Sequence, residues 1–256
     1  MPSATPDKPD IISCKGVTKH FGGLSAVKDV YFDMAENEVL GLIGPNGAGK
    51  TTLFNLIAGS IKPDNGSVYF EGKNITGLKP NVICRMGLGR TYQITKPFLQ
   101  MTVLENVICA CYFGTNKKRT IKDCTEQSKD LLNRIGLAEK IKKHGSELTL
   151  VERKRLEFAR ALGTNPKILL LDEVIAGLNP TETQEMVSLL NDIRSQGVSI
   201  LMIEHVMKAV MGVSDRIIVL NHGQKIAEGL PAEIVSNPEV IEAYLGGMHH
   251  AQAIAG

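Results

Sequence analysis

The sequence lacks the features that mark membrane-spanning, secreted and nucleic-acid-binding proteins. No apolar run reaches the roughly 18 residues that a membrane span needs, and the first ten residues, MPSATPDKPD, lack the apolar core of a signal peptide. The formal net charge is only +2, so no broad basic field supports nucleic-acid binding. These absences favour a cytosolic protein without a nucleic-acid partner, and residues 1–10 read as a disordered tail.

Cysteine is scarce, and its spacing indicates neither a disulfide framework nor a metal site. The chain has five cysteines, an odd number without a C-x-x-C pair, as expected for reduced thiols. On a short strand, Cys109 and Cys111 would point to the same face, but no histidine lies nearby to complete a metal site. We therefore assign both residues to packing.

The most informative segment present is GPNGAGKTT at 44–52, which fits G-x-x-x-x-G-K-[ST]. Its flanks, VLGLI at 39–43 and TLFNLIA at 52–58, predict the strand and the helix that this motif requires. Glycine backbone N–H groups and the positive end of a helix bind anions. Lys50 is therefore expected at the β- and γ-phosphates of a nucleotide and the Thr51 hydroxyl at Mg²⁺. The alternative is an ordinary glycine-rich turn with an exposed lysine. The predicted phosphate-binding residues are Gly44, Pro45, Asn46, Gly47, Ala48, Gly49, Lys50, Thr51 and Thr52.

An acidic pair follows a second predicted strand. The apolar run ILLL at 168–171 is typical of a buried parallel strand, and Asp172 and Glu173 stand at its C-terminal end. Ligands bind at that edge of open α/β sheets. One carboxylate can hold Mg²⁺, and the second can polarise the water that attacks a γ-phosphate. The alternative is an acidic pair that merely begins a surface loop.

Two further polar side chains complete the set of candidates. His205 follows the apolar segment SILMI at 199–203, where it can hydrogen-bond a γ-phosphate oxygen, although a lone histidine there is more often structural. Gln93, within GRTYQITKPF, has an amide able to contact Mg²⁺ and to sense its occupancy. Taken alone, it would more often be a surface amide.

In this order, the motifs resemble those of the nucleotide-binding subunit of an ABC transporter. The set consists of GPNGAGKTT, Gln93, ELTLVERKRLEFARAL, ILLLDEVIAGLNP and His205, and the resemblance covers about residues 12–246. Three further segments are similar to the ATPase subunits of importers for branched-chain and other hydrophobic amino acids. They are FGGLSAVKDV, GLGRTYQITKPFLQMTVLENV and IEHVMKAVMGVSDRIIVLNHGQKIAEGLPAEI.

The resemblance implies an ATPase that works with ATP and Mg²⁺. It makes Asp172 the magnesium carboxylate, Glu173 the general base and His205 the γ-phosphate switch. Phe21 matches the aromatic position that stacks on adenine, with a core phenylalanine as the alternative.

The implied partners are a second ABC ATPase subunit, transmembrane permease subunits and, indirectly, an extracytoplasmic solute-binding protein. The implied location is the cytoplasmic side of the cell membrane, with peripheral attachment.

Turn residues and hydrophobic periodicity predict an α/β core with a β-rich N-terminal layer and an inserted helical subdomain, and the resemblance implies that this core is a P-loop NTPase of the ABC ATPase type. Residues 11–35 alternate as strands do around a Phe21-Gly22-Gly23 turn, and KPDNGSVYFEGKNI continues that layer. Asn179 and Pro180 are expected to start a helix that Gly197 stops. The predicted domains are a discontinuous core at 11–94 and 163–247, a helical subdomain at 95–162, and tails at 1–10 and 248–256.

The segment aligned with the family's signature, close to LSGGQ, departs from it and reads LTLVE at 148–152. Val151 stands where a glycine would let the backbone approach the γ-phosphate bound by the opposite subunit, and Glu152 replaces a neutral amide. This departure predicts a heterodimer in which a second ATPase chain supplies the consensus signature. The alternative is a capping box, Thr149-x-x-Glu152, which starts the following helix without any phosphate contact.

Two other functions stay open. The altered signature also suits a nucleotide-gated clamp or regulatory subunit with weak hydrolysis. Within transport, the cargo can instead be an amide, urea or another small polar solute, because an ATPase subunit does not contact the cargo.

Overall fold

The structure, a computed structural model, describes residues 9–92 and 97–244, which form two compact units. The first unit contains the described residues up to Leu78 and from Ser199 onward, and the second is Lys79–Val198. The strands are β1 (Asp10–Phe21), β2 (Leu24–Ala35), β3 (Val39–Ile43), β4 (Asn65–Phe70), β5 (Lys73–Asn74), β6 (Leu88–Arg90), β7 (Ile168–Asp172), β8 (Ser199–Ile203), β9 (Arg216–Asn221) and β10 (Gln224–Gly229). The helices are α1 (Lys50–Ile57), α2 (Pro80–Met86), α3 (Val103–Phe113), α4 (Ile121–Arg134), α5 (Leu150–Gly163), α6 (Pro180–Ser195), α7 (Met207–Val213) and α8 (Pro231–Ser236).

An antiparallel sheet in the order β2-β1-β4-β5 forms the N-terminal layer of the first unit. The turn between β1 and β2 falls at Gly22 and Gly23, and Phe21 pairs with Leu24 across it. The predicted alternation over 11–35 and the predicted β-rich layer are therefore confirmed.

The second sheet of the first unit places β3 between β9 and β8, with β10 antiparallel at the edge beside β9. All residues of β3 and β8 are buried, which explains why both read as continuous apolar runs. β3 and β8 are parallel, and Leu42 pairs with Ile203. The chain therefore leaves β3 and β8 at the same edge of the sheet, the edge where ligands bind in α/β folds.

The second unit contains the parallel pair β6 and β7 together with α2 to α6. Thr102, Thr120 and Thr149 cap α3, α4 and α5 with capping boxes, and Asn179 does the same for α6, with Pro180 in its first turn. The predicted helix start at Asn179 is therefore confirmed. Residues 97–162 lie within this unit, and the bounds of the helical subdomain predicted at 95–162 stay a prediction.

The two neighbouring cysteines lie in a helix. Cys109 and Cys111 are residues of α3, as the helical period of TVLENVICACYF predicts, so the argument from a short strand does not apply to them. Cys111 is buried, with its Sγ 3.5 Å from Ser128 Oγ, so its assignment to packing holds. Across residues 9–92 and 97–244, no helix is both long enough and apolar enough to span a bilayer.

Candidate functional site

The predicted phosphate loop follows β3 and has a backbone that only glycine fits at two positions. Gly44 has φ 149°, and a Cβ there would lie 2.1 Å from the carbonyl oxygen of Leu220. Gly49 has φ 98°, and its Cβ would lie 2.2 Å from the carbonyl oxygen of Ala26. The loop is thus held closely against the end of β9 and against β2, and these contacts leave no room for a side chain.

Lys50 is the first residue of α1, and its ammonium group turns back into this loop. Its Nζ donates to the carbonyl oxygens of Gly44 at 2.7 Å and Pro45 at 2.9 Å, and only 6% of the residue is exposed. Burying an ammonium group requires such compensation. The alternative of an ordinary turn with an exposed lysine is therefore wrong.

The start of α1 has the donors that an anion needs. Its N-cap is Gly49, no side chain caps it, and its first turn contains no acidic residue. The first N–H groups of a helix have no partner within the helix, and they lie at its positive end. Thr51 is exposed and Thr52 half-buried, while Asn46 and Gly47 are exposed in the loop. The loop therefore fits the triphosphate of a nucleotide.

Asp172 is the last residue of β7 and is only 2% exposed. Arg90, at the end of the neighbouring β6, has its Nη2 3.6 Å from Asp172 Oδ2, and the Asp172 N–H donates to Thr91 Oγ1 at 3.1 Å. Burial lowers the pKa of the Arg90 guanidinium, while Tyr92 and Asp172 oppose that shift. Asp172 thus lies in a buried strand beside a cation and does not begin a surface loop.

Glu173 is the first residue beyond β7 and has a left-handed backbone, with φ 53°. Such a conformation is uncommon for a residue with a side chain and is concentrated at functional sites. The Lys154 ammonium group donates to the carbonyl oxygen of Glu173 at 3.3 Å and also to that of Ala176. The next two residues, Val174 and Ile175, are buried. The backbone at the proposed general base is therefore contacted by Lys154 and followed by two buried residues.

His205 and Gln93 complete the predicted set, and the structure describes only His205. His205 is exposed and follows the buried Glu204 directly after β8, so it lies just past a strand end as predicted, while its contact with a γ-phosphate stays a prediction. Gln93 lies outside the described residues. Its neighbour Tyr92 donates its N–H to Oε1 of the buried Glu157 at 2.6 Å.

Phe21 ends β1, and 50% of the residue is exposed, with the Lys19 ammonium group 5.7 Å from the ring centroid. The alternative that Phe21 is a core residue is therefore wrong. Its role in stacking on adenine stays a prediction.

The signature segment forms the capping box that the sequence suggested. Thr149 Oγ1 accepts the Glu152 N–H at 3.3 Å, and Glu152 Oε2 accepts the Thr149 N–H at 2.9 Å. Glu152 Oε1 also lies 3.1 Å from the Lys140 ammonium group. The Thr149 N–H, followed by Lys140, lowers the pKa of Glu152. The carboxylate of Glu152 is thus engaged within its own chain, while Val151 is half-buried in the first turn of α5.

Three residues of these sites have no local signal in the sequence. Arg90, Lys154 and Glu157 act on residues that are distant in the chain. In the sequence they look like other charged residues, and only the folded structure shows what they contact.

A strand, a glycine loop around a buried lysine and a helix with an uncapped start define a P-loop nucleoside triphosphatase. The comparisons with known proteins make the assignment narrower. The family model described as "ABC transporter" matches residues 27–176, more than half of the 256-residue chain. A second model, described as "Branched-chain amino acid ATP-binding cassette transporter", matches residues 224–250. The chain belongs to the ABC transporter ATP-binding proteins, which bind and hydrolyse ATP.

The relatives resemble nearly the whole chain. The high-affinity branched-chain amino acid transport ATP-binding protein LivG of Salmonella typhimurium is 43% identical over 92% of this chain and 98% of its own length. A crystal structure of an ABC transporter cassette in its ADP conformation is 33% identical, with a TM-score of 0.84 over 93% of this chain and 99% of that chain. A dimeric bacterial ABC transporter cassette is 25% identical, with a TM-score of 0.79 over 86% and 98%.

Proposed function

We propose that this chain hydrolyses ATP to power an importer for branched-chain or other hydrophobic amino acids. The observation that carries the proposal is the 43% identity to LivG over nearly the full length of both chains. The match of residues 224–250 to the branched-chain amino acid cassette model supports the same cargo class. The geometry of the phosphate loop supports the chemistry, because its buried lysine and uncapped helix fit a triphosphate.

Each residue of the site has a defined role in this proposal. Lys50 leaves the carbonyl groups of Gly44 and Pro45 and binds the β- and γ-phosphates, and the first-turn N–H groups of α1 bind the phosphate oxygens. Glu173 takes a proton from the attacking water, and His205 hydrogen-bonds a γ-phosphate oxygen. Gln93 senses the metal, and Phe21 stacks on adenine.

Magnesium is part of the same proposal. Thr51 and Asp172 provide a hydroxyl and a carboxylate oxygen, which are the hard ligands that Mg²⁺ prefers. Thr51 is exposed, and Asp172 is at the end of β7. When bound, Mg²⁺ would neutralise charge that develops on the phosphates.

The proposed assembly contains two ATPase subunits on transmembrane permeases at the cytoplasmic side of the membrane, with an extracytoplasmic solute-binding protein that delivers the cargo. The dimeric state of the 25% identical cassette supports a pair of ATPase subunits. We favour a heterodimer, because Val151 and Glu152 replace the signature residues that would face the partner's γ-phosphate.

A second candidate is a nucleotide-gated regulatory subunit with weak hydrolysis. The same two residues favour it, since a valine and a carboxylate at the signature weaken contact with a phosphate. A different cargo, such as an amide or urea, leaves the ATPase chemistry unchanged.

Reconstitution tests both parts of the proposal. The purified chain is assayed for phosphate release alone, with its co-expressed permeases in proteoliposomes, and with those permeases plus a solute-binding protein. We expect stimulated turnover coupled to uptake of labelled leucine and not of acetamide or urea. ATP binding without phosphate release in the full complex would favour the regulatory subunit, and uptake of acetamide or urea would overturn the cargo.

A further inference from the structure

Lys154 connects α5 to the loop that carries Glu173. It lies in the second turn of α5, and its partly buried ammonium group donates to two carbonyl oxygens, those of Glu173 and Ala176. Both acceptors are backbone atoms of the loop between β7 and α6. An ammonium group has three N–H donors, so it can bind two carbonyl oxygens at once.

The loop between β7 and α6 has an irregular backbone. Residues 173–179 form no helix or strand, and the Leu178 N–H donates to the Ile175 carbonyl at 3.1 Å. The side chains of Val174 and Ile175 are buried, but they follow the residue whose backbone is left-handed. A residue with a side chain keeps a positive φ only where its surroundings impose it. The contact at the Glu173 carbonyl acts directly on that peptide unit.

The same helix also holds the segment that leads to Gln93. Glu157 lies three residues after Lys154 on α5, so both side chains emerge from the same face of the helix. Its buried carboxylate accepts the Tyr92 N–H. The N-terminus of this helix is the signature segment, whose start is fixed by the capping box of Thr149 and Glu152. A displacement of α5 would therefore reach the Glu173 loop through Lys154.

From these contacts we infer that Lys154 is a positioning residue for Glu173. It holds the left-handed backbone of Glu173 and so the place of the carboxylate, and it couples the signature helix to hydrolysis. The inference rests on the proposed role of Glu173 as general base. Lys154 is not a ligand of ATP in this scheme, so its loss should affect turnover and leave nucleotide binding intact.

The test compares Lys154→Met, Lys154→Arg and Glu173→Gln with the wild-type chain in the same assembly. Affinity for ATP is measured with a fluorescent ATP analogue, and turnover is measured as phosphate release under single-turnover conditions. We expect Lys154→Met to lower the rate by about 10- to 100-fold with unchanged affinity, since a misplacement of about 1 Å costs up to 10²-fold. Lys154→Arg, which can still donate to two carbonyls, should recover most of the rate.

Arg153→Met is the matched control. Arg153 is a cation on the same turn of α5, but its Nη2 donates to the Ser146 carbonyl at 2.9 Å and not to the Glu173 loop. Its rate should stay within about twofold of wild type, because the Arg153 guanidinium donates to a carbonyl before α5 and not to the loop that carries Glu173. Thermal unfolding of each variant shows whether it is folded. If Lys154→Met does not fold, Lys154→Gln, which is shorter and uncharged, takes its place.

The double variant Lys154→Met with Glu173→Gln separates positioning from a general structural effect. If Lys154 acts through Glu173, the double variant should be no slower than Glu173→Gln alone, because coupled residues are not additive. The inference would be overturned if Lys154→Met slowed the Glu173→Gln protein by the same factor as it slows the wild-type chain, or if Lys154→Met alone had a wild-type rate. Either result would leave Glu173 as the proposed base. A wild-type rate in Glu173→Gln would overturn the proposed general base itself.

Discussion

Arg90 and Asp172 end two adjacent parallel strands, with 3.6 Å between the guanidinium Nη2 and the carboxylate Oδ2. Both side chains are nearly inaccessible, at 7% and 2% exposure. The proposed magnesium carboxylate thus has a buried cation beside it. Replacing one member of such a pair by a neutral residue destabilises the fold, because the remaining charge stays buried without its partner.

We predict that Arg90→Met lowers the free energy of unfolding by about 3 kcal/mol, as expected when one partner of a buried ion pair is removed. Adding Asp172→Asn should recover part of that loss. Urea unfolding at neutral pH measures both effects. The control is Arg155→Met, which removes an ion pair with the 58% exposed Glu185 side chain and should cost no more than about 1 kcal/mol. Equal losses in the two single variants would contradict a special role for the Arg90 pair.

Lys50→Ala should weaken nucleotide binding. The substitution removes the cation expected at the β- and γ-phosphates, and charge-assisted hydrogen bonds contribute about 1.5 to 3 kcal/mol. Affinity for a fluorescent ATP analogue should therefore fall about 10- to 100-fold. Lys28→Ala, at an exposed position on β2, is the control and should bind like wild type. Unchanged affinity in a folded Lys50→Ala protein would remove Lys50 from the phosphate site.

The fold was predictable where the signal is local. VLGLI, ILLL and SILMI were each expected to form strands and do so as β3, β7 and β8, since continuous apolar runs suit strands buried on both faces. The helix start at Asn179 was likewise predictable, because an N-cap asparagine followed by a first-turn proline is a local signal.

The supporting contacts of the site were not predictable from the sequence. Thr91 and Asp172 are 81 residues apart, and Lys154 is 19 residues from Glu173 and 22 from Ala176. A sequence pattern reports periodicity and short spacings, while these contacts depend on how strands and helices are packed. The left-handed backbone of Glu173 was also hidden, because the residue is not a glycine.

Glu173→Gln should bind ATP like wild type and barely hydrolyse it. The loss of a general base costs about 10²- to 10⁴-fold, while Lys50 and the helix start are untouched. Single-turnover phosphate release and analogue binding measure the two steps separately. Glu185→Gln, an exposed carboxylate on α6, serves as the control. Retention of more than about half of the wild-type rate would show that another group accepts the proton.

We expect the segment around Phe98, which follows Gln93 in the sequence, to contact a permease. The ring is 44% exposed, and its backbone is fixed by the buried Asn106, which accepts the Phe98 N–H at 2.8 Å and donates to its carbonyl at 3.0 Å. The Arg160 guanidinium lies 4.7 Å from the ring centroid. An exposed aromatic side chain on a fixed backbone suits a protein interface.

We therefore expect single cysteines at Phe98 or Met101 to crosslink to co-expressed permeases. The experiment uses a background in which the two partly exposed cysteines, Cys84 and Cys109, are replaced by alanine. A cysteine at Ile121, which is 56% exposed at the start of α4, is the control and should give no adduct. Adducts are identified by mass spectrometry. Recovery of soluble proteins alone, with no permease adduct at either position, would count against the transporter assembly and for a regulatory subunit.

The signature segment predicts an asymmetric motor. If the Glu152 carboxylate faces a partner's γ-phosphate at about 6 Å, the repulsion is about 3 kcal/mol at an effective dielectric near 20, which slows turnover roughly a hundredfold. Lys140, at 3.1 Å from Glu152, offsets part of that charge. Because the homodimer has this segment at both sites, it should turn over weakly, and a second ATPase chain with a consensus signature should restore the rate.

We expect Val151→Gly with Glu152→Gln to raise homodimer turnover at least several-fold. A glutamine can still accept the Thr149 N–H, so the capping box survives, and glycine in the first turn of α5 costs only about 1 kcal/mol. Steady-state phosphate release measures the gain, and Glu139→Gln, which removes an exposed carboxylate outside the signature segment, is the control for net charge. Robust hydrolysis by the unmodified homodimer, with no gain from the double substitution, would leave helix capping as the whole role of Thr149 and Glu152.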